Sequence, residues 1–115
     1  MATVNPTVAP IGSGALVVTW GPLANGDVGA LYNVADFGDN TVTFEGTAGA
    51  GANIQLEGCN HPSDTPRVLV DPQGNAIAKA VASIEQVLEA PAYIRPNVTA
   101  GDGTTSWTAK LKCRH

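Results

Sequence analysis

Charged side chains are scarce in this chain. Asp, Glu, Lys and Arg make up 14% of its 115 residues, whereas globular domains have about a quarter. The few basic residues are scattered, only Lys110, Lys112 and Arg114 stand close together, and the net charge is −4. Because phosphate binding needs a basic stripe, the sequence argues against nucleic acid as a partner. A surface so poor in charge is typical of proteins inside a larger assembly, although secreted β-domains have similar surfaces.

Long apolar runs are missing as well. The longest covers four residues, Ala15 to Val18, and a membrane-spanning helix needs about 20. The first residues also lack the charged and continuous apolar regions of a signal peptide. We therefore expect a chain that neither spans a membrane nor is exported by the usual route. Its two cysteines, Cys59 and Cys113, are then expected to be reduced while the chain folds.

Recognisable catalytic groups are absent from the sequence. No serine stands in a nucleophile-elbow context, and His61 and His115 are the only histidines that could act as bases. The glycine-rich segment Gly46 to Gly51 lies between two predicted strands, so no helix N-terminus would face a bound phosphate. We expect a non-enzymatic protein without a cofactor, in which that segment is a hairpin loop.

Alternating apolar residues dominate the rest of the chain. They recur in short segments about ten residues apart, as in Val42/Phe44 and Ile54/Leu56, with turn residues such as Asn25-Gly26 between them. This pattern predicts an all-β fold, a β-sandwich or jelly roll. One segment departs from it: between Ile77 and Glu89 the apolar residues follow helical spacing, which predicts one short helical segment.

The length fits a single domain. We place that domain at residues 15–115 and interpret residues 1–14, which contain two prolines and no sustained period, as an extended N-terminal arm. The residues expected in the core are Trp20, Tyr32, Phe44, Ile54, Leu56, Val68, Ile94, Trp107 and Leu111.

Metal binding and a disulfide stay open as alternatives at this point. Cys59/His61 and Cys113/His115 are both Cys-x-His pairs, and on a strand this spacing puts both side chains on one face, where two pairs could hold zinc. Asp102 or Asp64 could contribute to a calcium site, although a turn aspartate ordinarily bonds its own backbone. Cys113 shares the predicted inward phase of Leu111 and Cys59 does not, so strand parity favours two unlinked thiols.

Three longer segments carry a family resemblance. The order WGPLANGDVG, then IQLEGCN, then LVDPQGNAIAKAVASIEQVLEAPAYIRPNVTAGDGTTSWTAKL resembles small structural proteins encoded beside the major capsid gene of tailed bacteriophages. These are head decoration or cement proteins, and the similarity runs from about Ala15 onward. The segments LEGCN and AYIRP also resemble the discoidin-like jelly roll. There Cys59 replaces the usual Ser and His61 the usual Asp, so a ligand or calcium role of that loop is not carried over.

The resemblance implies a virion protein on the capsid exterior, made in the host bacterial cytoplasm. Many copies would bind the major capsid protein, associate as dimers or trimers, and bridge neighbouring capsomers. The alternative from another class is a small carbohydrate-binding module with an exposed aromatic side chain or Arg95 in a concave site. For the capsid role, our candidates for contact with a neighbour are arm residues: Thr3, Val4, Asn5, Pro6, Val8, Pro10 and Ile11.

Overall fold

The computed structural model describes residues 1–115 and contains strands, turns and loops only. Two sheets pack as a β-sandwich, which confirms the predicted all-β class. The structure contains no helix long and apolar enough to cross a bilayer. In chain order the strands are β1 (Thr3–Val4), β2 (Thr7–Gly12), β3 (Ala15–Leu23), β4 (Val28–Gly29), β5 (Tyr32–Asn33), β6 (Asp39–Thr47), β7 (Asn53–Cys59), β8 (Arg67–Val68), β9 (Ala78–Lys79), β10 (Ser83–Gln86), β11 (Tyr93–Ala100) and β12 (Ser106–Arg114).

The two sheets differ in how regular they are. Sheet A has seven strands in the order β1-β4-β11-β7-β8, with β5 paired to β11 and β9 paired to β7. Sheet B has five strands in the order β10-β6-β12-β3-β2, all antiparallel. The long strands are central in both sheets, and the edges of sheet B are β10 and β2. These two edges leave backbone groups without a strand partner.

The core lies between the sheets and follows the period of two along each strand. In β12, Trp107, Ala109, Leu111 and Cys113 are buried, and their neighbours in sequence point to the outside. Leu111 lies between Val18 on β3 and Val42 on β6. Seven of the predicted core residues are completely buried: Trp20, Phe44, Ile54, Leu56, Ile94, Trp107 and Leu111.

Two of the predicted core residues differ. Tyr32 is partly buried and packs against the core from its rim. The predicted inward position of Val68 is wrong: Val68 is 36% exposed, and its neighbour Leu69 is buried. Val68 pairs with Glu57 on the outer side of sheet A. Strand β8 has only two residues, so the sequence offered too little alternation to fix its phase, and a slip of one residue exchanges the faces.

The helix predicted between Ile77 and Glu89 is wrong. That segment forms β9 and β10 instead, and β10 pairs antiparallel with β6. Val81, Ile84 and Leu88, which suggested an apolar helix face, are 68%, 67% and 58% exposed. The free edge of β6 supplies hydrogen bonds to β10, and sheet pairing of this kind overrides local spacing in a short segment.

Residues 1–14 do not form an arm separate from the domain. Strand β1 pairs in parallel with β4 in sheet A, and β2 pairs antiparallel with β3 in sheet B. Val4 packs against the core, whereas every residue of β2 is exposed. The boundary predicted at Ala15 is therefore not a boundary of the fold, because the first strands belong to the edges of both sheets.

Replacing Leu56 by Ala tests the core. Leu56 is completely buried, so the substitution leaves a cavity, and we expect it to lower the free energy of unfolding by about 2 to 5 kcal/mol. The measurement is urea unfolding at equilibrium. The matched control is Val68→Ala, since Val68 is exposed on a strand of the same sheet. If the two variants lose equal stability, the assignment of the inward faces is wrong.

Candidate functional site

The outer side of sheet A carries a continuous group of polar side chains. Because inward and outward residues alternate, the burial of Ile54, Leu56, Ile94 and Val98 directs the residues between them to the other side of β7 and β11. We call this surface the polar face, and it consists of Asn53, Gln55, Glu57, Tyr93, Arg95, Asn97 and Thr99.

Glu57 is the centre of the polar face. It is only 5% exposed, although it points away from the core. Arg95 Nε donates to its Oε1 at 2.9 Å, and Gln55 Nε2 and Asn97 Nδ2 donate to its Oε2 at 2.6 and 3.0 Å. A buried carboxylate is costly unless several donors satisfy it. These three donors satisfy both oxygens and thereby hold the surrounding side chains in fixed positions.

The guanidinium group of Arg95 is hydrogen-bonded through Nε and has free donors at its two Nη atoms. Its Nε is engaged by Glu57, while its terminal Nη groups make no hydrogen bond within the protein. The side chain is 26% exposed and lines a shallow depression of about 390 Å³ together with Val28, Asn97 and Thr99. Asn53 continues the network by donating to Thr99 Oγ1 at 2.7 Å and to Gln55 Oε1 at 3.3 Å. The depression thus has an ordered polar wall with free donors.

Asp102 links two loops through hydrogen bonds to its carboxylate, and we call this arrangement the Asp102 clamp. Its carboxylate accepts hydrogen bonds from Ala50 N at 2.7 Å, Thr104 N at 2.9 Å and Thr104 Oγ1 at 2.6 Å. These bonds, that from Ala50 first, lower the pKa of Asp102 from 3.8 to about 2. Nearby, Thr105 Oγ1 donates to Ala48 O at 2.7 Å. Asp102 therefore fixes the β6–β7 loop against the β11–β12 loop.

The residues considered for metal binding are not brought together. No group of three or more His, Cys, Asp or Glu side chains is arranged to hold a metal ion. His61 Nδ1 lies 2.7 Å from Ser63 Oγ, and the ring of His115 lies 5.0 Å from that of Phe37. The Asp102 oxygens already accept bonds from the chain itself, as expected for a turn aspartate.

Cys59 and Cys113 are free thiols in different sheets. Cys113 is completely buried in the inward phase of β12, and desolvation raises its pKa to about 11. Cys59 pairs with Tyr93 on the outward phase of β7. The parity argument against a bridge therefore agrees with the observed positions.

The outer side of sheet B is a second surface, and its character differs from that of the polar face. It carries little free charge: Lys110 Nζ lies 2.7 Å from Glu45 Oε1, and Lys112 Nζ lies 3.6 Å from Asp39 Oδ2. We call this surface the threonine face, and its threonines are Thr7, Thr19, Thr41, Thr43 and Thr108.

Exposed apolar residues line both edges of sheet B. Val8 and Ile11 on β2 are 45% and 57% exposed, and Ile84 projects from β10 on the opposite edge. Of the candidate arm residues, Thr3 and Val4 lie in β1, Asn5 and Pro6 lie between β1 and β2, and Val8, Pro10 and Ile11 lie in β2. The threonine face is thus bordered by two edges that offer apolar side chains and backbone groups.

Comparisons with known proteins show a likeness of fold. No protein-family model matches the chain, and no curated protein matches it. The crystal structure of the SPBc2 prophage-derived protein YomS is similar with a TM-score of 0.65 and 10% identity, covering 91% of this chain and 98% of that one. A weaker likeness, with a TM-score of 0.43 and 12% identity, is to CBM32 of AlyQ in complex with 4,5-unsaturated mannuronic acid, covering 85% of this chain and 78% of that one. The fold of this protein is therefore the β-sandwich that YomS has over nearly its whole length.

The Asp102 clamp should make stability depend on pH in the acid range. The folded state keeps this carboxylate ionised below the pH at which the unfolded chain protonates it, so its contribution is full above about pH 4 and is lost as the pH falls toward 2. We expect Asp102→Asn to lower the Tm at pH 7 and to change it much less near pH 2. The control is Asp36→Asn, because Asp36 is exposed in a turn. Equal Tm losses at both pH values would contradict the clamp.

Alkylation tests the state of the thiols. We expect the unfolded chain to take up two labels without reductant, since both cysteines are free. In the folded protein Cys113 should stay unlabelled, because burial and its raised pKa suppress the thiolate. Mass spectrometry counts the labels. An unfolded chain that takes up none would show a disulfide.

Proposed function

We propose that this protein is a non-enzymatic virion component that binds the outer surface of a bacteriophage capsid and stabilises it by cross-linking capsomers. The observation that carries this proposal is the pair of open, apolar edges on sheet B, β2 and β10, on either side of the low-charge threonine face. The likeness to YomS, a prophage-derived protein, supports a phage origin. The family resemblance of the sequence supports the capsid exterior as the location.

Open edges of this kind suit strand addition. A neighbouring chain that pairs with β2 or β10 satisfies backbone groups that the sheet leaves free, and apolar side chains beside the edge add burial. On β2 these side chains are Val8 and Ile11, and on β10 the exposed Ile84 has Val81 and Leu88 beside it. One subunit can thus contact one neighbour at each of the two edges of sheet B.

Two separated edges allow cross-linking with weak contacts. When a subunit already bound at one edge reaches a second partner, the second contact forms at a high effective concentration. The partners would be the major capsid protein and symmetry-related copies of this chain, as dimers or trimers. A surface whose lysines are paired with carboxylates adds little repulsion between closely spaced copies.

The N-terminal strands have a defined part in this proposal. In the free protein β2 is already extended and hydrogen-bonded to β3, so docking does not require that a flexible arm become ordered. Val8 and Ile11 are the candidate contact residues with the most apolar surface to bury. Thr3 and Val4 form β1 and pair with β4 in sheet A, so in this proposal they are not contact residues of the sheet B edge.

Reconstitution on capsids tests the proposal. Expanded capsids that lack the protein should bind it at a fixed ratio to the major capsid protein, and filled heads should burst at a higher temperature until the sites are full. We expect Val8→Lys and Ile84→Lys each to weaken binding by about tenfold or more, because a charge at the edge opposes strand addition. Binding is measured by sedimentation, and bursting by release of DNA on heating.

Val68→Lys is the matched control for these variants. It places the same charge on an exposed valine of the other sheet, so it should bind capsids as the unmodified protein does. If stripped capsids take up no protein, or if heads with and without it burst at the same temperature, the capsid function is wrong. If Val68→Lys weakens binding as much as Ile84→Lys, the docking surface does not lie on sheet B.

The alternative class, a carbohydrate-binding module on a virion or cell surface, has a specific observation in its favour. A carbohydrate-binding module requires an exposed aromatic side chain or Arg95 in a concave site, and Arg95 lines a depression on sheet A. This surface lies on the opposite side of the sandwich from the threonine face, so sugar binding would accompany capsid docking and would not compete with it.

A further inference from the structure

The stability of a solvent-facing sheet does not require a hydrogen-bond network such as the one around Glu57. The outer residues of a sheet are ordinarily hydrated, yet Glu57 is 5% exposed and is bonded by three side chains. A buried ion pair of this kind contributes little to stability, because desolvation offsets the attraction. The network does fix the orientation of its side chains, because each of them makes at least one hydrogen bond to Glu57.

The ordered side chains leave hydrogen-bonding groups free on the outer surface. The Nη groups of Arg95 are donors without a protein partner, and Asn97 uses its Nδ2 but not its Oδ1. Thr99 Oγ1 accepts from Asn53, and its hydroxyl proton stays available. Alternate residues of a strand are about 6.6 Å apart. The polar face therefore offers donors and acceptors at spacings that suit a ligand with several hydroxyl groups.

Tyr93 adds an apolar element beside these groups. It lies two residues before Arg95 on β11, so its side chain is on the same face, and it is half-buried. A tyrosine ring at such a position combines apolar surface with a polar tip. The C–H face of a sugar ring packs on such a surface while its hydroxyl groups reach the neighbouring polar side chains.

The charges of the site indicate a neutral ligand. Glu57 lies 2.9 Å from Arg95 Nε and compensates its charge, and the whole chain carries −4. Among the side chains of the polar face, an acidic ligand would find no surplus positive charge, and the net negative charge of the chain would not attract it over a long range. Hydrogen bonds from the guanidinium to neutral hydroxyl groups need no such surplus.

We propose that the polar face binds a neutral oligosaccharide, with Arg95, Asn97 and Thr99 as its hydrogen-bonding residues and Tyr93 as its packing surface. This site rests on the carbohydrate-binding alternative proposed above, and it does not depend on capsid docking, because the two surfaces belong to different sheets. On a virion exterior it would attach the particle to a glycan-bearing surface.

The test is titration of the full-length protein, followed by NMR, with oligomers of glucose, galactose and N-acetylglucosamine, and with polyuronate oligomers as the acidic comparison. We expect at least one neutral oligomer to bind with a Kd below about 10 mM and to shift the amide signals of β7 and β11. Thr99→Val and Arg95→Lys should each weaken that binding by about tenfold, the loss of one good hydrogen bond to the ligand. Circular dichroism and Tm confirm that the variants are folded.

Two controls carry the same substitutions on sheet B. Thr43→Val and Arg114→Lys lie on β6 and β12, and we expect both to bind the oligomer as the unmodified protein does. The proposal is overturned if no neutral oligomer binds, if polyuronate binds better, or if Thr99→Val and Arg95→Lys bind like their controls. A variant that unfolds is replaced by Tyr93→Phe and Tyr93→Ala, of which only the second should weaken binding.

Discussion

The packing of two sheets through one face each is the constraint on which the rest of the molecule depends. Trp20, Phe44 and Trp107 are completely buried between the sheets, and the rings of Phe44 and Trp107 meet edge to face at 6.4 Å. Because side chains alternate along a strand, burial of one set fixes the direction of the other set. The polar face and the threonine face are the two sets that remain outside.

The sequence predicted the fold where strands are long and failed where they are short. Strands β7, β11 and β12 have seven to nine residues, and buried and less buried positions alternate along most of β11 and β12 and in the first half of β7, so the pattern predicts their inward residues. Val68 lies in a strand of two residues and Ile84 in one of four. In such segments the pairing with β7 or β6 decides the conformation, and that pairing is a long-range contact which local spacing does not contain.

The site was only partly visible in the sequence for a related reason. The sequence indicates Arg95 as a possible sugar contact. It does not indicate the role of Glu57, because the two residues are 38 positions apart and meet only through the register of β7 and β11. A signal was present: the outward positions of NIQLE and YIRPNVT are nearly all amide, hydroxyl or charged side chains. Two strands with such outward positions, once known to be neighbours, predict a cross-strand network.

We propose that sheet B docks on a capsid through its edges, and hydrogen–deuterium exchange tests this proposal most directly. Amides at a free edge exchange readily, and strand addition protects them. On expanded capsids, the account predicts new protection in β2 and β10, with little change in β7 and β11. Protection confined to β7 and β11, or the same exchange in the free and capsid-mixed protein, would contradict it.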